Sequence, residues 1–349
     1  MKPKETREWL SQFPMIDLHV HLDGSVKPDT LLELAAEQGE PLTIACKQEL
    51  ADRMQINDSC RSLKEYLSKF DFVLPYLQTG RALERVAYET VLQSAACNGK
   101  YIEVRFAPLL HTRQGLGVDE VIRRVLAGLK RGEEQFGVLA RGIAICMRHH
   151  DPLRNLEVVE AAASFRKQGL AAVDLAGDEA SFPPLLHEAV FARAHRLGIP
   201  VTIHAGEAAG PENIYDAIVR LGARRIGHGV RAKESDRVLK FVSEHRVPLE
   251  LCPVSNIQTK AVPGWEMYPV REYFEQGLVL TINTDNPTVS GTTLLREYTV
   301  LADRFGFSPQ EIARLIMNSV QAAFVEEREK KALLGQFRER FRELDIKVS

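Results

Sequence analysis

Short apolar stretches alternate along the chain with longer segments of helical periodicity. The stretch MIDLHVHLDGS, residues 15–25, alternates apolar and polar side chains, which is the period of a β-strand. Its even-numbered apolar side chains should pack against helices, and its odd-numbered polar side chains should face the interior, with Asp17 in the deepest layer. Seven later stretches are also predicted to be strands: YIEVRFAP, RGIAICM, AAVDLAG, PVTIHAG, RRIGHGV, VPLELCP and VLTINTD.

The segments between these strands carry helix signals. In GPENIYDAIVRLGA, Pro211 suits a first helical turn and Gly222 suits a C-terminal cap. Ser308 and Glu311 have the spacing of a capping box. Because eight strands alternate with helices, the sequence predicts an α/β protein with a parallel sheet, and eight strands close a (β/α)8 TIM barrel.

The interval between the first two strands is longer than the others. Residues from about 28 to 99 are mainly helical in pattern, which predicts a helical insertion after the first strand. Within a single domain of residues 1–349, such an insertion would cover the carboxyl-terminal mouth of the barrel. The alternative is that these helices only extend the core.

Composition and charge narrow the class of protein. The chain has 45 basic and 47 acidic side chains and a formal net charge of −2, so it lacks the basic footprint of a nucleic-acid partner. Five scattered cysteines without a C-x-x-C pair favour reduced thiols. With neither a signal-peptide pattern nor an apolar run of membrane-spanning length, we expect a cytoplasmic protein without a membrane partner. The oligomeric state stays open.

Polar side chains of metal-ligand type fall at the predicted strand ends. His19 and His21 are alternate residues of one strand, so their side chains point the same way, about 6.6–6.8 Å apart. His204, His228 and Asp285 end three later strands. A single histidine at a strand end is more often a hydrogen-bonded core residue. Barrel enzymes, however, build their sites where the strands end, so these groups should converge at one mouth.

Three nitrogen donors and one oxygen donor suit zinc with an open water position. His19, His21, His204 and Asp285 form such a set. Strand four ends without a lysine that could bridge two ions, which favours one metal. The chain also lacks the H-x-E and P-C-x-x-C pair of cytidine-type deaminases.

Glu207 follows His204 by three residues, and a carboxyl beside such a site is able to move protons. The alternative is an exposed loop glutamate. His228 is a second candidate for acid–base or electrostatic chemistry. Gly177 in DLAGDE would let the backbone approach a ligand closely, or would simply serve the turn.

Six motifs together resemble the adenosine deaminase family of the amidohydrolase superfamily. In chain order they are DLHVHLDGS, DLAGDE, HAGEAAGPENI, RIGHGV, CPVSNIQT and INTDNPTVSGTTL. The resemblance covers essentially the whole chain. It implies that one zinc ion per chain is held by His19, His21, His204 and Asp285.

The same resemblance implies roles for the remaining site residues. Glu207 would protonate purine N1, and His228 would orient the attacking water and help to deprotonate it. Asp23, with His21, would lie near the ribose 5′-hydroxyl, and the backbone N–H of Gly177 would meet purine N3. An LDG motif favours nucleosides, because the related adenine-specific branch carries Glu in place of this Asp.

One position departs from the family pattern. Many members have two consecutive aspartates where this chain has Asp285 and Asn286. The second of them contacts purine N7, an acceptor, and an Asn amide donates there at any pH, whereas a carboxyl must first be protonated.

The leading hypothesis is zinc-dependent deamination of adenosine and 2′-deoxyadenosine to inosine and 2′-deoxyinosine plus ammonia, so the partner is a small purine nucleoside. Alternatives are deamination of a modified adenosine such as aminodeoxyfutalosine, or of adenine. A different class is a catalytically silent barrel that acts as a binding protein.

Overall fold

The computed structural model describes residues 3–44, 46–56 and 60–348. Within these ranges eight parallel strands form two four-stranded sheets, one with the order β1-β2-β3-β4 and one with the order β5-β6-β7-β8. The strands are β1 (Met15–His21), β2 (Gly99–Phe106), β3 (Leu139–Met147), β4 (Leu170–Ala176), β5 (Thr202–Ala205), β6 (Arg225–His228), β7 (Leu249–Leu251) and β8 (Leu280–Ile282).

Two parallel bridges join the sheets edge to edge. Val173 pairs with Val201 between β4 and β5, and Val20 of β1 pairs with Asp285, just beyond β8. The sheet therefore closes on itself. Each predicted strand stretch overlaps one of these strands, and the predicted (β/α)8 barrel is confirmed.

The helices of the described chain surround this barrel. Ser308 and Glu311 form the predicted capping box at the start of α15, with each residue's side chain bonded to the other's backbone. No helix of the described part combines the length and apolar character needed to cross a membrane. The helices are α1 (Pro3–Leu10), α2 (Pro28–Glu37), α3 (Lys47–Met54), α4 (Leu63–Leu67), α5 (Phe70–Val73), α6 (Gly80–Ala96), α7 (Val118–Phe136), α8 (Pro152–Phe165), α9 (Glu188–Arg196), α10 (Pro211–Val219), α11 (Asp236–Glu244), α12 (Pro253–Gln258), α13 (Val270–Glu275), α14 (Leu294–Phe305), α15 (Pro309–Ala322) and α16 (Glu327–Glu343).

The first strand contains a β-bulge that the alternation of its sequence hides. Asp17 pairs with Ile102, whereas Val20 pairs with Val104, so β1 has one more residue than β2 over this interval. The expectation that Asp17 faces the barrel interior is wrong. It lines a cavity of about 60 Å³ beside α6 and accepts hydrogen bonds from the Thr284 hydroxyl (2.6 Å) and the His19 backbone amide (3.1 Å).

Helices α2 to α5 lie between β1 and α6 in the chain, and part of this segment contacts the loop after β8. The Ile56 amide donates to Val289 O at 2.8 Å, and the Tyr66 hydroxyl lies 2.7 Å from Ser290 Oγ. Tyr66, Cys60 and Val289 form a small apolar cluster separate from the main core. These contacts fix α4 and α5 beside the carboxyl-terminal ends of the strands.

Candidate active site

Four ligand-type atoms meet where the strands end. His21 Nε2 lies 3.2 Å from His204 Nε2 and 3.3 Å from Asp285 Oδ1, and His19 Nε2 lies 3.5 Å from the same oxygen. A tetrahedral zinc ion with bonds of about 2.0–2.2 Å separates its donors by roughly 3.3–3.6 Å. His19 Nε2 is buried and has no hydrogen-bond partner in the described chain. The donor set therefore fits one metal ion.

His228 borders this set closely. His19, His204, His228 and Asp285 each offer an atom within 4.8 Å of the others, and all four residues are buried. His228 differs from the other histidines in its partners, because its Nδ1 meets an amide and its Nε2 lies 3.6 Å from Glu207 Oε2. His228 Nε2 thus faces Glu207, whereas His21 Nε2 faces His204 and Asp285.

Two of these residues turn the backbone in a way that non-glycine residues rarely do. His228 and Asp285 have φ angles of 63° and 60°. Such turns redirect both side chains toward the centre of the mouth. Gly227 makes room for two other histidines, since a Cβ there would lie 3.0 Å from His19 Cε1 and 3.2 Å from His204 Cα.

Two histidines of the donor set have carboxylate partners behind them. His19 Nδ1 bonds to Glu250 Oε2 at 2.8 Å, and His204 Nδ1 lies 3.0 and 3.1 Å from the two oxygens of Asp174. A carboxylate fixes the proton on Nδ1 and leaves Nε2 with its lone pair. Burial lowers the pKa of His204 and holds that of His21 well below its ordinary value, so both imidazoles are neutral at pH 7, as a metal ligand must be.

Helix α12 positions two further groups. The Ser255 hydroxyl donates to Asp285 Oδ2 at 2.6 Å, which leaves Oδ1 toward the histidines. The side-chain oxygen of Asn256 accepts from the Tyr268 hydroxyl at 3.1 Å, so its amide nitrogen faces His228 Nδ1 at 2.9 Å and donates to it. Neutral His228 consequently carries its proton on Nε2.

Glu207 is buried beside His228. Burial, together with the nearby charges of Asp285 and Glu179, raises the pKa of Glu207 well above its ordinary value. Burial thus favours the protonated carboxyl, which is the form able to give a proton to a bound base.

Glu179 holds the turn that carries Glu207. Its carboxylate accepts from an Asn213 side chain at 3.1 Å and from consecutive backbone amides at 2.7 to 3.0 Å. Those amides belong to Gly206, Glu207, Ala208 and Ala209. Five donors on one carboxylate fix the backbone of the loop that carries Glu207.

A cavity of about 310 Å³ opens beside these groups. The predicted site residues line it, except His19, which lies behind His21 and His204. Apolar side chains of α4 and α5 and of the neighbouring strand ends form one wall: Leu63, Leu67, Phe70, Leu74, Ile145 and Met147. The cavity thus combines an apolar surface with a few convergent polar groups, as a small-molecule site does.

Polar groups mark the other wall of this cavity. Burial raises the pKa of Asp23 to about 6. A Cβ at Gly24 would lie 2.0 Å from Asn286 Oδ1, which is buried without a hydrogen-bond partner among the described residues. Asn286 therefore presents its amide nitrogen, a donor, to the cavity. Gly177 has a φ of 109°, which favours glycine.

Sequence reasoning missed the residues that support the site. Glu250 and Asp174 interrupt otherwise apolar strands. A charged residue in a buried strand indicates a paired partner, so the sequence did carry a signal for these two. Glu179 belongs to the DLAGDE motif but has no role apparent from spacing. Asn256 and Arg105 are visible only in three dimensions, because each acts on a residue from a distant strand.

Closely similar structures are known. An adenine deaminase from Arthrobacter aurescens superimposes with a TM-score of 0.88 at 27% identity, covering 94% of this chain and 99% of that one. Together with the histidine–aspartate cluster at the strand ends, this likeness defines the chain as an amidohydrolase barrel.

Sequence relatives define the family within that class. The family model described as adenosine deaminase matches residues 14–340. A relative from Enterococcus faecalis named adenosine deaminase is 44% identical over 92% of this chain and 95% of its own length. One of the same name from Clostridium acetobutylicum is 40% identical over 94% and 98%. The chain belongs to the adenosine deaminase family, a family of metal-dependent hydrolytic deaminases, and the predicted resemblance is confirmed.

Proposed function

We propose that the chain hydrolyses adenosine and 2′-deoxyadenosine to inosine and 2′-deoxyinosine, releasing ammonia, with one zinc ion per chain. The observation that carries this proposal is the buried Glu207 carboxyl, 3.6 Å from His228 and beside the donor cluster. The shared name of the relatives supports adenosine as the substrate.

His19, His21, His204 and Asp285 would hold the zinc ion, since their donor atoms have the separations of a tetrahedral site. When bound, zinc would lower the pKa of a water molecule to about 7 and so supply a nucleophile at neutral pH. The carboxylates behind His19 and His204 fix the proton on Nδ1 of each ring and so direct Nε2 toward the metal position.

Glu207 supplies the proton that the purine needs. C6 of adenosine is a poor electrophile because it belongs to an aromatic ring. Transfer of the Glu207 proton to N1 withdraws electrons from C6 and makes attack by water favourable. The burial that raises the pKa of Glu207 keeps this proton in place until the base is bound.

His228 would act on the attacking water. Because Asn256 donates to Nδ1, the neutral ring offers an N–H at Nε2. This favours a role in which His228 donates a hydrogen bond to the attacking oxygen and stabilises the charge that develops there, and not the expected role of a base that deprotonates the water.

The polar wall of the cavity would recognise the nucleoside through hydrogen bonds. Asp23 and His21 would bond to the ribose 5′-hydroxyl, the Gly177 amide to N3 and the Asn286 amide to N7. The Arthrobacter aurescens neighbour is named an adenine deaminase, and Asp23 is the residue that we propose favours a nucleoside over the free base. The free thiols of the five cysteines support the proposed cytoplasmic location.

The proposal is tested by assaying a panel of substrates with protein of known metal content. The protein is incubated separately with adenosine, 2′-deoxyadenosine, adenine and aminodeoxyfutalosine, and loss of the amino-purine absorbance is followed. Turnover of the first two with the highest kcat/KM is expected. No change with adenosine would overturn the assignment in favour of whichever compound reacts. If none reacts and the protein retains less than about one equivalent of metal, it is a binding protein.

A further inference from the structure

A single guanidinium lies beneath the donor cluster and touches the partners of two of its histidines. Arg105 Nη2 donates to Glu250 Oε2 at 2.9 Å, and Nη1 donates to Asp174 Oδ2 at 2.8 Å. Glu250 Oε2 also bonds His19, and the Asp174 carboxylate bonds His204. All of these side chains are at least nine-tenths buried. Among the described residues, only Arg105 contacts both carboxylates.

We propose that Arg105 is a positioning residue that couples the two histidine–carboxylate pairs, so that His19 and His204 bind the metal ion as one unit. The proposal rests on the proposed function only in that the donor cluster holds a metal. It concerns how the protein prepares that cluster and does not depend on which purine is the substrate.

The geometry of arginine is what makes this coupling possible. A guanidinium is planar and presents its N–H donors in a fixed fork, whereas an ammonium is a compact point charge. The two terminal nitrogens of Arg105 therefore hold the carboxylates at a set separation. A lysine at this position reaches one of them at a time.

A third hydrogen bond ties Arg105 to the first strand itself. Nη2 donates to Leu18 O at 2.7 Å, the carbonyl directly before His19. The bulge between Asp17 and Val20 exposes this carbonyl to the interior, because the ladder of β1 is interrupted there. Arg105 thus fixes both the ring partner of His19 and the backbone that carries it.

Charge supports the same interpretation. Arg105 brings a positive charge within 2.9 Å of Glu250 Oε2 and within 2.8 Å of Asp174 Oδ2. An opposite charge at this distance favours the ionised carboxylate, which is the form that accepts the Nδ1 proton of a ligand histidine.

Arg225 is a matched control within the same cluster. It is equally buried and bonds to the other oxygen of Glu250, Oε1, at 2.6 Å. Its second carboxylate partner is Glu103, and neither contact reaches a histidine of the donor set or Asp174. A purely structural role would make Arg105 and Arg225 equivalent.

The first experiment compares Arg105→Lys with Arg225→Lys. Each metal-free protein is titrated with zinc against a chromophoric chelator, and its thermal midpoint is recorded. We expect zinc affinity to fall about 10- to 100-fold in Arg105→Lys, which is the range seen when outer partners of metal ligands are lost. In Arg225→Lys we expect it to fall less than about threefold. The thermal midpoints of the two variants should drop by similar amounts. Equal zinc affinities in the two variants would overturn the proposal.

The second experiment measures the coupling without altering Arg105. Asp174→Asn and Glu250→Gln are made singly and together, and zinc affinity is measured for each. Coupling through Arg105 predicts that the double variant loses less than the product of the two single fold-changes, and that additivity returns in an Arg105→Lys background. Additive losses in the wild-type background would refute the coupling, even if Arg105→Lys does not fold. Failure to deaminate adenosine leaves these affinities unaffected, so the two proposals fail separately.

Discussion

Two layers of buried polar side chains lie one above the other inside the barrel, and they are satisfied in opposite ways. In the lower layer, Glu103 accepts from the Tyr101 hydroxyl, the Phe324 amide and Arg225. In the upper layer, His19 Nε2 has no hydrogen-bond partner in the described chain, and the Nε2 atoms of His21 and His204 lie 3.2 Å apart.

The difference teaches what each layer is for. Buried charges are tolerated when they are paired and hydrogen-bonded, and the lower layer meets that condition within the chain. The upper layer meets it only if a cation supplies the missing partner. His19 and His204 belong to both layers, since each has one ring nitrogen bonded to a carboxylate below and the other directed upward.

The largest effect should come from the upper layer. Glu207→Gln keeps the shape of the side chain but removes the proton that N1 needs, so kcat should fall by about 10²- to 10⁴-fold while zinc content stays at one equivalent. Steady-state kinetics and metal analysis of the same preparation check this. Glu234→Gln, an exposed glutamate on a neighbouring loop, is the control. Near-normal turnover in Glu207→Gln would exclude the proton-transfer role.

A change in the lower layer should act on stability. Glu103→Gln removes one of the two carboxylates that pair with the buried Arg225. Removing one partner of a buried ion pair lowers the free energy of unfolding by about 3–5 kcal/mol. Urea unfolding at fixed zinc concentration measures this loss. The kcat of the folded fraction should stay within about twofold of wild type. A large fall in kcat without loss of stability would mean that Glu103 serves the reaction rather than the stability of the fold.

The smallest effect is expected at a buried carboxyl group whose hydrogen-bond partners are all neutral. Glu297, fully buried on α14, accepts hydrogen bonds from the Thr292 hydroxyl and the Val254 amide. Burial raises its pKa to about 8. The folded state therefore holds this proton at pH values where the unfolded chain has lost it, and stability falls as pH rises from roughly 4.5 to 8.

The variant Glu297→Gln cannot ionise and should lack this slope. Relative to wild type it should gain up to about 1.4 kcal/mol in unfolding free energy for each pH unit between 5 and 8. Thermal melts of both proteins across that range, at one zinc concentration, give the difference. Parallel stability curves for the two proteins would show that Glu297 is already ionised in the folded state.

Much of the architecture is predictable from the sequence, because the relevant signals are local. Each strand is a short apolar run, and the ligand-type residues fall where those runs end, so the barrel and the convergence of His19, His204 and Asp285 follow together. The bulge after Asp17 cannot be predicted from local sequence, since it depends on how β1 pairs with β2.

The lower polar layer is unpredictable for a related reason. Glu103, Arg105, Arg225 and Glu250 lie on three different strands, and each by itself is an isolated charge in an apolar run. Only closure of the barrel shows that they pair with one another. The left-handed backbone at His228 and Asp285 is likewise set by tertiary packing, because it is uncommon for any residue other than glycine, even though His and Asp adopt it more often than most.

The seam that closes the barrel also carries proposed metal ligands. Between β1 and the residues after β8, the His21 amide donates to Asp285 O at 2.7 Å, and the Asp285 amide donates to His19 O at 2.8 Å. On the ribosome, His19 and His21 emerge long before Asp285. A nascent or truncated chain that stops short of this residue has neither the seam nor the complete donor set. A bound metal ion would therefore mark chains whose synthesis and folding are finished.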